Sequence, residues 1–162
     1  MIGNEGMCDV ALALGVDTSA TRAIVQGQGS ALPVGAAAFR HELQRSRTLR
    51  RVLKRYAFVL LAQIAQTAGC IGSHVVEQRL ARWLLMSHDR AHTDTFNVTH
   101  AFLATILGVR RAGVMQAAGL LQRRHLIRYT RGRVHIVSRR GLEVAACRCY
   151  RTDRETWQRL LG

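Results

Sequence analysis

Between Ala104 and Val137 the sequence places seven arginines, Arg110, Arg111, Arg123, Arg124, Arg128, Arg131 and Arg133, and not one carboxylate. Such a set can do one kind of chemistry well, which is to hold anions. Each guanidinium offers a planar fork of N–H donors that matches phosphate oxygens or the edge of a guanine. The acid-free interval is wider still, because no Asp or Glu occurs between Asp94 and Glu143 while nine arginines do. The formal net charge of +14 overstates this, since 23 of the 24 basic residues are arginine and only Lys54 is lysine, a bias of the whole chain. Placement, more than the total, points to a polyanionic partner.

Other residues of reactive type lead less far. His88 and His92 stand four apart with no third ligand nearby in sequence, and they read as solvated histidines. Cys8, Cys70, Cys147 and Cys149 are too few and too irregular for a disulfide framework and read as reduced thiols. The Cys147-Arg148-Cys149 run reads as part of a C-terminal helix, with no metal site and no cofactor expected, and Trp83 reads as core. Catalysis would need a nucleophile with a base, or paired carboxylates in a pocket. The ten acids form no such arrangement beside a histidine, so an enzyme is not expected.

The arginines need elements to hold them. Thr99 can cap a short helix carrying Phe102, Leu103, Ile106 and Leu107, which stops at Gly108. A second helix follows at once: Val114, Ala117, Ala118 and Leu121 recur at i, i+3, i+4 and i+7 and face inward. Ala112, Met115, Gln116, Gly119 and Arg123 then face outward, with Arg110 and Arg111 on the first turn. Ala104 is small where the helices cross and Val114 locks the crossing, so the pair is a helix-turn-helix. "LIRYTRGRVHIVS" continues as a β-hairpin with Gly132 able to take positive φ. Helix-turn-helix plus hairpin is a winged helix, with Arg128, Arg131 and Arg133 on the wing.

Upstream, Leu49, Leu53, Tyr56, Leu60, Gln63 and Thr67 alternate in steps of four and three, flanked by Val52, Val59 and Ile64. This heptad-like seam predicts a dimerisation helix over 46–68, because little else in the chain is available to cover so broad an apolar face. Gly69 to Gly72 should end that helix, with Ser73 capping a further one whose Val76, Leu80, Trp83 and Leu84 face a core. "AHTDTFN" reads as a polar loop. Residues 1–38 are rich in Gly, Ala and Val, and "TRAIVQGQGSALPV" predicts two short strands about a Gly-rich turn, with Pro33 at an edge. So few strands lack a face sufficient for stability, which suggests the fragment of a larger β domain. No apolar run reaches the roughly 18 residues of a membrane span, and "VALALGV" is too short for a signal peptide. A soluble, cytoplasmic protein with no membrane partner is expected. The fold class is α+β, mainly α, divided as 1–45 β-roll remnant, 46–68 dimerisation helix, 69–150 winged helix-turn-helix and 151–162 C-terminal tail.

From about residue 45 to 150 the chain resembles the C-terminal half of the Crp/Fnr-type bacterial transcription regulators. "EQRLARWLL", "FLATILGVRRAGV", "LLQRRHLIRYTRGRVHIV" and "RGLEVAACRCY" carry the resemblance, in family order and spacing. It implies a homodimer on double-stranded DNA, helix 110–123 in the major groove of an inverted-repeat operator, and RNA polymerase as a further partner. Arg111 matches the family arginine that reads guanine. Ala112 replaces a glutamate that many members use, and Gln116 replaces a second arginine and could read adenine. Thr99, Arg110, Arg123, Arg131 and Arg133 fall to phosphates, which fix register without reading sequence.

Further upstream, "IGNEGM" and "TRAIVQ" resemble the end of the family's effector-binding β-roll. There Glu5 and Arg22 stand where cyclic-nucleotide contacts lie in some members. Ala23 replaces the family serine, the spacing from Glu5 to Arg22 is too long, and the first strands of the roll are absent. No effector ligand is therefore expected, and the N-terminal cysteine cluster of the oxygen-sensing members is missing too. Two rival readings remain. One is a basic winged-helix RNA-binding protein, which would usually expose stacking aromatics, and Tyr129 is the only aromatic near the reading face. The other is a truncated remnant that dimerises through 46–68 without binding DNA itself.

Overall fold

Apolar residues at helical spacing dominate the chain, and helices follow from them. The computed structural model describes residues 1–4 and 6–162. After a single 3₁₀ turn at Leu12–Leu14 come α1 (Ala36–Arg45), α2 (Arg47–Ser73), α3 (Val76–Ala91), β1 (Thr95–Asn97), α4 (His100–Leu107), α5 (Arg111–Arg123), β2 (Ile127–Thr130), β3 (Arg133–Ile136), α6 (Arg139–Ala145) and α7 (Cys149–Leu161). The α+β, mainly α class is as the sequence predicts.

Helix α3 is the axis of the main core. Every residue from Arg79 to Ser87 is buried, and Leu80, Leu84 and Leu85 meet Leu103 of α4, Val114, Ala117 and Leu121 of α5, and Leu142 of α6. Trp83 sits in this core, edge-on to Phe96 and Phe102 at centroid distances of 6.3 Å each. Burying such side chains stabilises the fold by about 1.5–3 kcal/mol apiece.

The sheet has three antiparallel strands in the order β1-β3-β2. Strand β1 lies in the stretch that the sequence suggests is a polar loop. Its three residues pair with β3 through Thr95↔His135, Phe96↔Val134 and Asn97↔Arg133. A strand this short has no period to read, and a partner almost forty residues away defines it.

Helix α2 departs from its prediction in three ways. Ser46 ends α1 and caps α2 by accepting from the Leu49 amide at 3.1 Å, but the helix does not stop at Gly69. It continues through both glycines to Ser73, so Ser73 is its last residue, and α3 starts after Val75 without a side-chain cap. An interior glycine costs about 1 kcal/mol, and the packing of α2 along α7 outweighs that. By length and composition α2 is also long and apolar enough to cross a membrane, the only such helix among the described residues. Scattered Gln and Thr hide that property from a count of unbroken apolar runs.

The third departure is the direction of the seam. Leu49, Leu53 and Leu60 are half-buried and Tyr56 is buried within the single chain. The Tyr56 ring stands edge-on to Trp157 of α7 at 6.2 Å, and its hydroxyl donates to the Met7 carbonyl at 3.0 Å. Gln63 Oε1 accepts from the Met1 amino group at 2.9 Å, and Thr67 Oγ1 accepts from Arg82 at 3.1 Å. Outward instead point Phe58, Leu61 and Ile64, which are 55%, 63% and 67% exposed.

At the ends of the chain the expectations also change. Residues 18–35 are exposed and form no strand. Arg22 lies exposed in this segment, and Glu5 lies outside the described residues. The segment 151–162, expected as a tail, is most of α7 and covers one face of α2.

Candidate nucleic-acid interface

The reading helix is built from both directions. Gly108 closes α4 with φ +60°, a left-handed turn that glycine adopts without strain, and its amide returns to the Ala104 and Thr105 carbonyls. Helix α5 then begins after Arg110, whose extended backbone supplies the N-cap position. Val114, Ala117, Ala118 and Leu121 are all buried, so the inward stripe read from spacing is the one observed.

The opposite faces of α5 are open. Arg110, Arg111, Ala112, Met115, Gln116 and Arg123 are exposed. Ala112, Gln116, Gly119 and Arg123 follow steps of four, three and four and therefore share one stripe. Arg111 and Met115 form the adjoining one. The absence of a side chain at Gly119 lets Arg123 fold back along the helix, its Nη1 lying 3.5 Å from where a Cβ would be.

The wing docks beside the first turn of α4. Arg131 and Gly132 both have positive φ, +49° and +78°, joining β2 to β3 by a two-residue turn with Thr130 paired to Arg133. That pair of left-handed residues defines a type I′ hairpin, whose twist matches the strands. The Gly132 carbonyl accepts from the Val98 amide at 2.8 Å, which places the wing tip against Thr99. Thr99 itself caps α4, accepting from the Phe102 amide at 3.1 Å. Gln122 ties α5 to the wing by accepting from the Tyr129 amide at 2.6 Å.

The fold thus sets the wing tip beside Thr99 and Arg111 close to His100 and Tyr129, leaves Arg110, Ala112, Gln116, Arg131 and Arg133 exposed, and sets Arg123 at the far end of α5, about 18 Å along the axis from Arg111. Among the described residues none of Arg110, Arg111, Arg123, Arg128, Arg131 and Arg133 has a carboxylate within ion-pair distance. Arg124 differs, because Glu77 of α3 holds it at 2.6 Å. Arg139 also turns inward, to Asp89 at 2.7 Å and Glu143 at 3.2 Å.

Tyr129, the aromatic near the reading face, and His100, which the sequence does not single out, support this surface. His100 stacks on Tyr129 with ring centroids 4.3 Å apart and planes 10° from parallel. Burial, and then the charge of Arg111, hold the His100 pKa below its ordinary value, and burial raises that of the Tyr129 phenol against the pull of Arg111. The Tyr129 hydroxyl donates to the Val98 carbonyl at 2.5 Å. No spacing rule links residues 100, 111 and 129, and only the fold makes them neighbours.

His88 and His92 do not form a pair. His88 sits between Asp94 and Arg139, and His92 is an exposed left-handed residue closing α3. The cysteines behave differently: Cys70, Cys147 and Cys149 converge with His74, a grouping invisible along the sequence.

Comparison with known proteins agrees with this geometry. Residues 78–145 match the model of the Crp-like helix-turn-helix domain. No curated protein matches the chain. Among solved structures, a transcriptional regulator of the CRP family from Thermus thermophilus is similar with a TM-score of 0.51 at 24% identity, over 70% of this chain and 55% of that one. A Crp/Fnr-family regulator from Eubacterium rectale gives 0.49 at 21% identity, over 68% of this chain and 51% of its own. The chain therefore spans about half the length of either structure. Apart from the first two residues of α3, the order α3-β1-α4-α5-β2-β3-α6, the αL turn at Gly108 and the I′ wing fall inside the matched segment, so residues 78–145 are similar to the Crp-like helix-turn-helix domain.

Proposed function

We propose that the protein is a sequence-specific DNA-binding transcription regulator whose helix α5 enters the major groove of an inverted-repeat operator. One observation carries this reading: the outward face of α5 and the wing tip expose Arg110, Arg111, Arg123, Arg131 and Arg133 with no carboxylate partner among the described residues, in a segment that matches the Crp-like helix-turn-helix domain. Arg111 reads guanine through O6 and N7, Gln116 reads adenine, and Ala112 leaves its neighbouring base without a polar contact. Thr99, Arg110, Arg131 and Arg133 hold phosphates close to that reading tip, and Arg123 holds one at the opposite flank.

A second copy completes the reader. Because one face of α2 is occupied by α7, pairing uses the opposite face, where Phe58, Leu61, Ala65, Ala68 and Gly72 alternate in steps of three and four beside Ile64 and Ile71. Two such chains present their α5 helices to successive major grooves, roughly 34 Å apart.

Selection of binding sites from a random duplex pool, followed by a salt titration on the selected site, tests the proposal. The expected result is enrichment of an inverted repeat bound by two chains, with affinity falling steeply as salt rises. Equal retention of random single-stranded RNA, or enrichment of no symmetric site, would overturn it.

A further inference from the structure

The C-terminal end of α2 and the junction of α6 with α7 meet at a cluster of four potential ligands. Cys70 lies in the last turn of α2 and His74 is the extended residue that closes it, and their side chains converge. Cys147 and Cys149 flank Arg148 at the start of α7, and both thiols turn inward while Arg148 remains exposed. Cys70 Sγ lies 3.5 Å from Cys147 Sγ, and Cys149 Sγ lies 3.7 Å from His74 Nδ1. All four ligand atoms fall within 4.8 Å of one another.

These separations have a specific meaning. A tetrahedral zinc ion with Zn–S near 2.3 Å and Zn–N near 2.0–2.1 Å spaces its sulfurs about 3.8 Å apart and sulfur from nitrogen about 3.6 Å. The two close pairs already match those edges. A polynuclear cluster would hold its ligands further apart, and a Cys70–Cys147 disulfide would leave Cys149 and His74 facing each other without a purpose.

We propose that Cys70, His74, Cys147 and Cys149 bind one tetrahedral thiophilic divalent ion, Zn²⁺ by chemistry, in a closed structural site. Three thiolates and a neutral imidazole fill all four positions and leave none for a reacting molecule. The surroundings suit the ion. The three cysteines are nearly inaccessible and form a small buried cluster of their own, apart from the main core. Gln66 Nε2 donates to Cys149 Sγ at 2.9 Å, the kind of outer hydrogen bond that orients a ligand. Binding releases three protons, one from each cysteine, and forms three metal–sulfur bonds and one metal–nitrogen bond.

The consequence is mechanical. The ion ties the end of the long helix to the base of the winged module, linking residues some seventy positions apart. Metal loading would then set how rigidly the reading helix is carried by α2.

Cobalt titration of the full, reduced, metal-free chain tests the site. The expected result is intense visible absorption of tetrahedral cobalt with thiolate charge-transfer bands, saturating at one equivalent and abolished by one equivalent of Zn²⁺. Cys147→Ser should weaken cobalt binding by more than about tenfold, on the scale seen even for outer-sphere changes. His74→Cys should keep one equivalent with stronger charge transfer, and Cys8→Ser should change nothing. The wild-type titration needs no variant to fold. Weak, octahedral-type cobalt spectra in the wild-type chain would overturn the proposal. So would a mass two units low with only two titratable thiols before reduction, which identifies a disulfide instead.

Discussion

His100 and Tyr129 lie face to face, 4.3 Å between ring centroids, and so join the first turn of α4 to the second strand of the sheet. The contact sits beside Arg111 at the tip of the reading surface. It makes the geometry of that surface sensitive to protonation. The His100 Nε2 is buried without a hydrogen-bond partner, so the neutral ring suits the site better than the cation.

A pH dependence follows. Burial, and then Arg111, depress the His100 pKa below 6.5 in the folded chain. A depressed pKa means that the unfolded chain binds the proton more readily. The contribution of His100 to stability is then complete above about pH 6.5 and declines as pH falls through the lower, folded value. Urea midpoints measured between pH 5 and 7.5 should drop on acidification. His100→Phe, which keeps the stack and removes the orphaned nitrogen, should reduce the drop while leaving the midpoint at pH 7.5 unchanged or higher.

The two arginines nearest the tip should respond differently to removal. Arg111→Ala is expected to cost about 1–3 kcal/mol on the selected site and to relax preference at one base position of each half-site. Arg131→Ala should weaken all sequences to a similar degree and reduce the steepness of the salt dependence by about one ion per half-site. Binding measured on the selected site and on single-base variants at several salt concentrations separates the two. Identical behaviour would refute the division between reading and positioning.

Opposite faces of α2 should also respond differently. Leu61→Glu places a charge on the exposed face, and the chain should remain folded while sedimenting as a monomer. Tyr56→Ala removes the contacts with Trp157 and Met7, and should destabilise the chain by about 3 kcal/mol or more through the cavity it leaves. If Leu61→Glu left a dimer intact, the pairing face would lie elsewhere.

Arg82 and Asp153 form an ion pair at 2.7 Å with side chains only 7% and 11% exposed. Burial raises the Asp153 pKa even with the guanidinium opposite it. Removing one partner leaves the other charged and dry, so Asp153→Ala should cost about 3–5 kcal/mol. Replacing both together with apolar residues should cost far less, and a double-mutant cycle on unfolding free energies measures the difference.

What was legible in the sequence was local. The stripe of Val114, Ala117, Ala118 and Leu121, the stop at Gly108 and the hairpin around Gly132 are each encoded within a few residues by period or turn chemistry, and each is found in the structure. What escaped depends on distant partners. Strand β1 exists because β3 lies beside it. Helix α2 is apolar around most of its circumference, so its period could not say which side α7 would cover. The reach of α2 past Gly69 was hidden because glycine propensity lost to packing. The short strands expected near Pro33 have suitable residues but pair with nothing in the structure. The four ligands of the cysteine cluster are separated by an entire folded module, and no spacing rule spans it.

The surface offered by α5 and the wing contains no lysine at all, because Lys54 on α2 is the only one in the chain. Acetylation, a common way to silence a basic surface by removing its charge, therefore has no target there. Nor would methylation of its arginines discharge it, since that modification keeps the charge. Its positive charge is effectively permanent, and control over the protein has to act on where that surface is held.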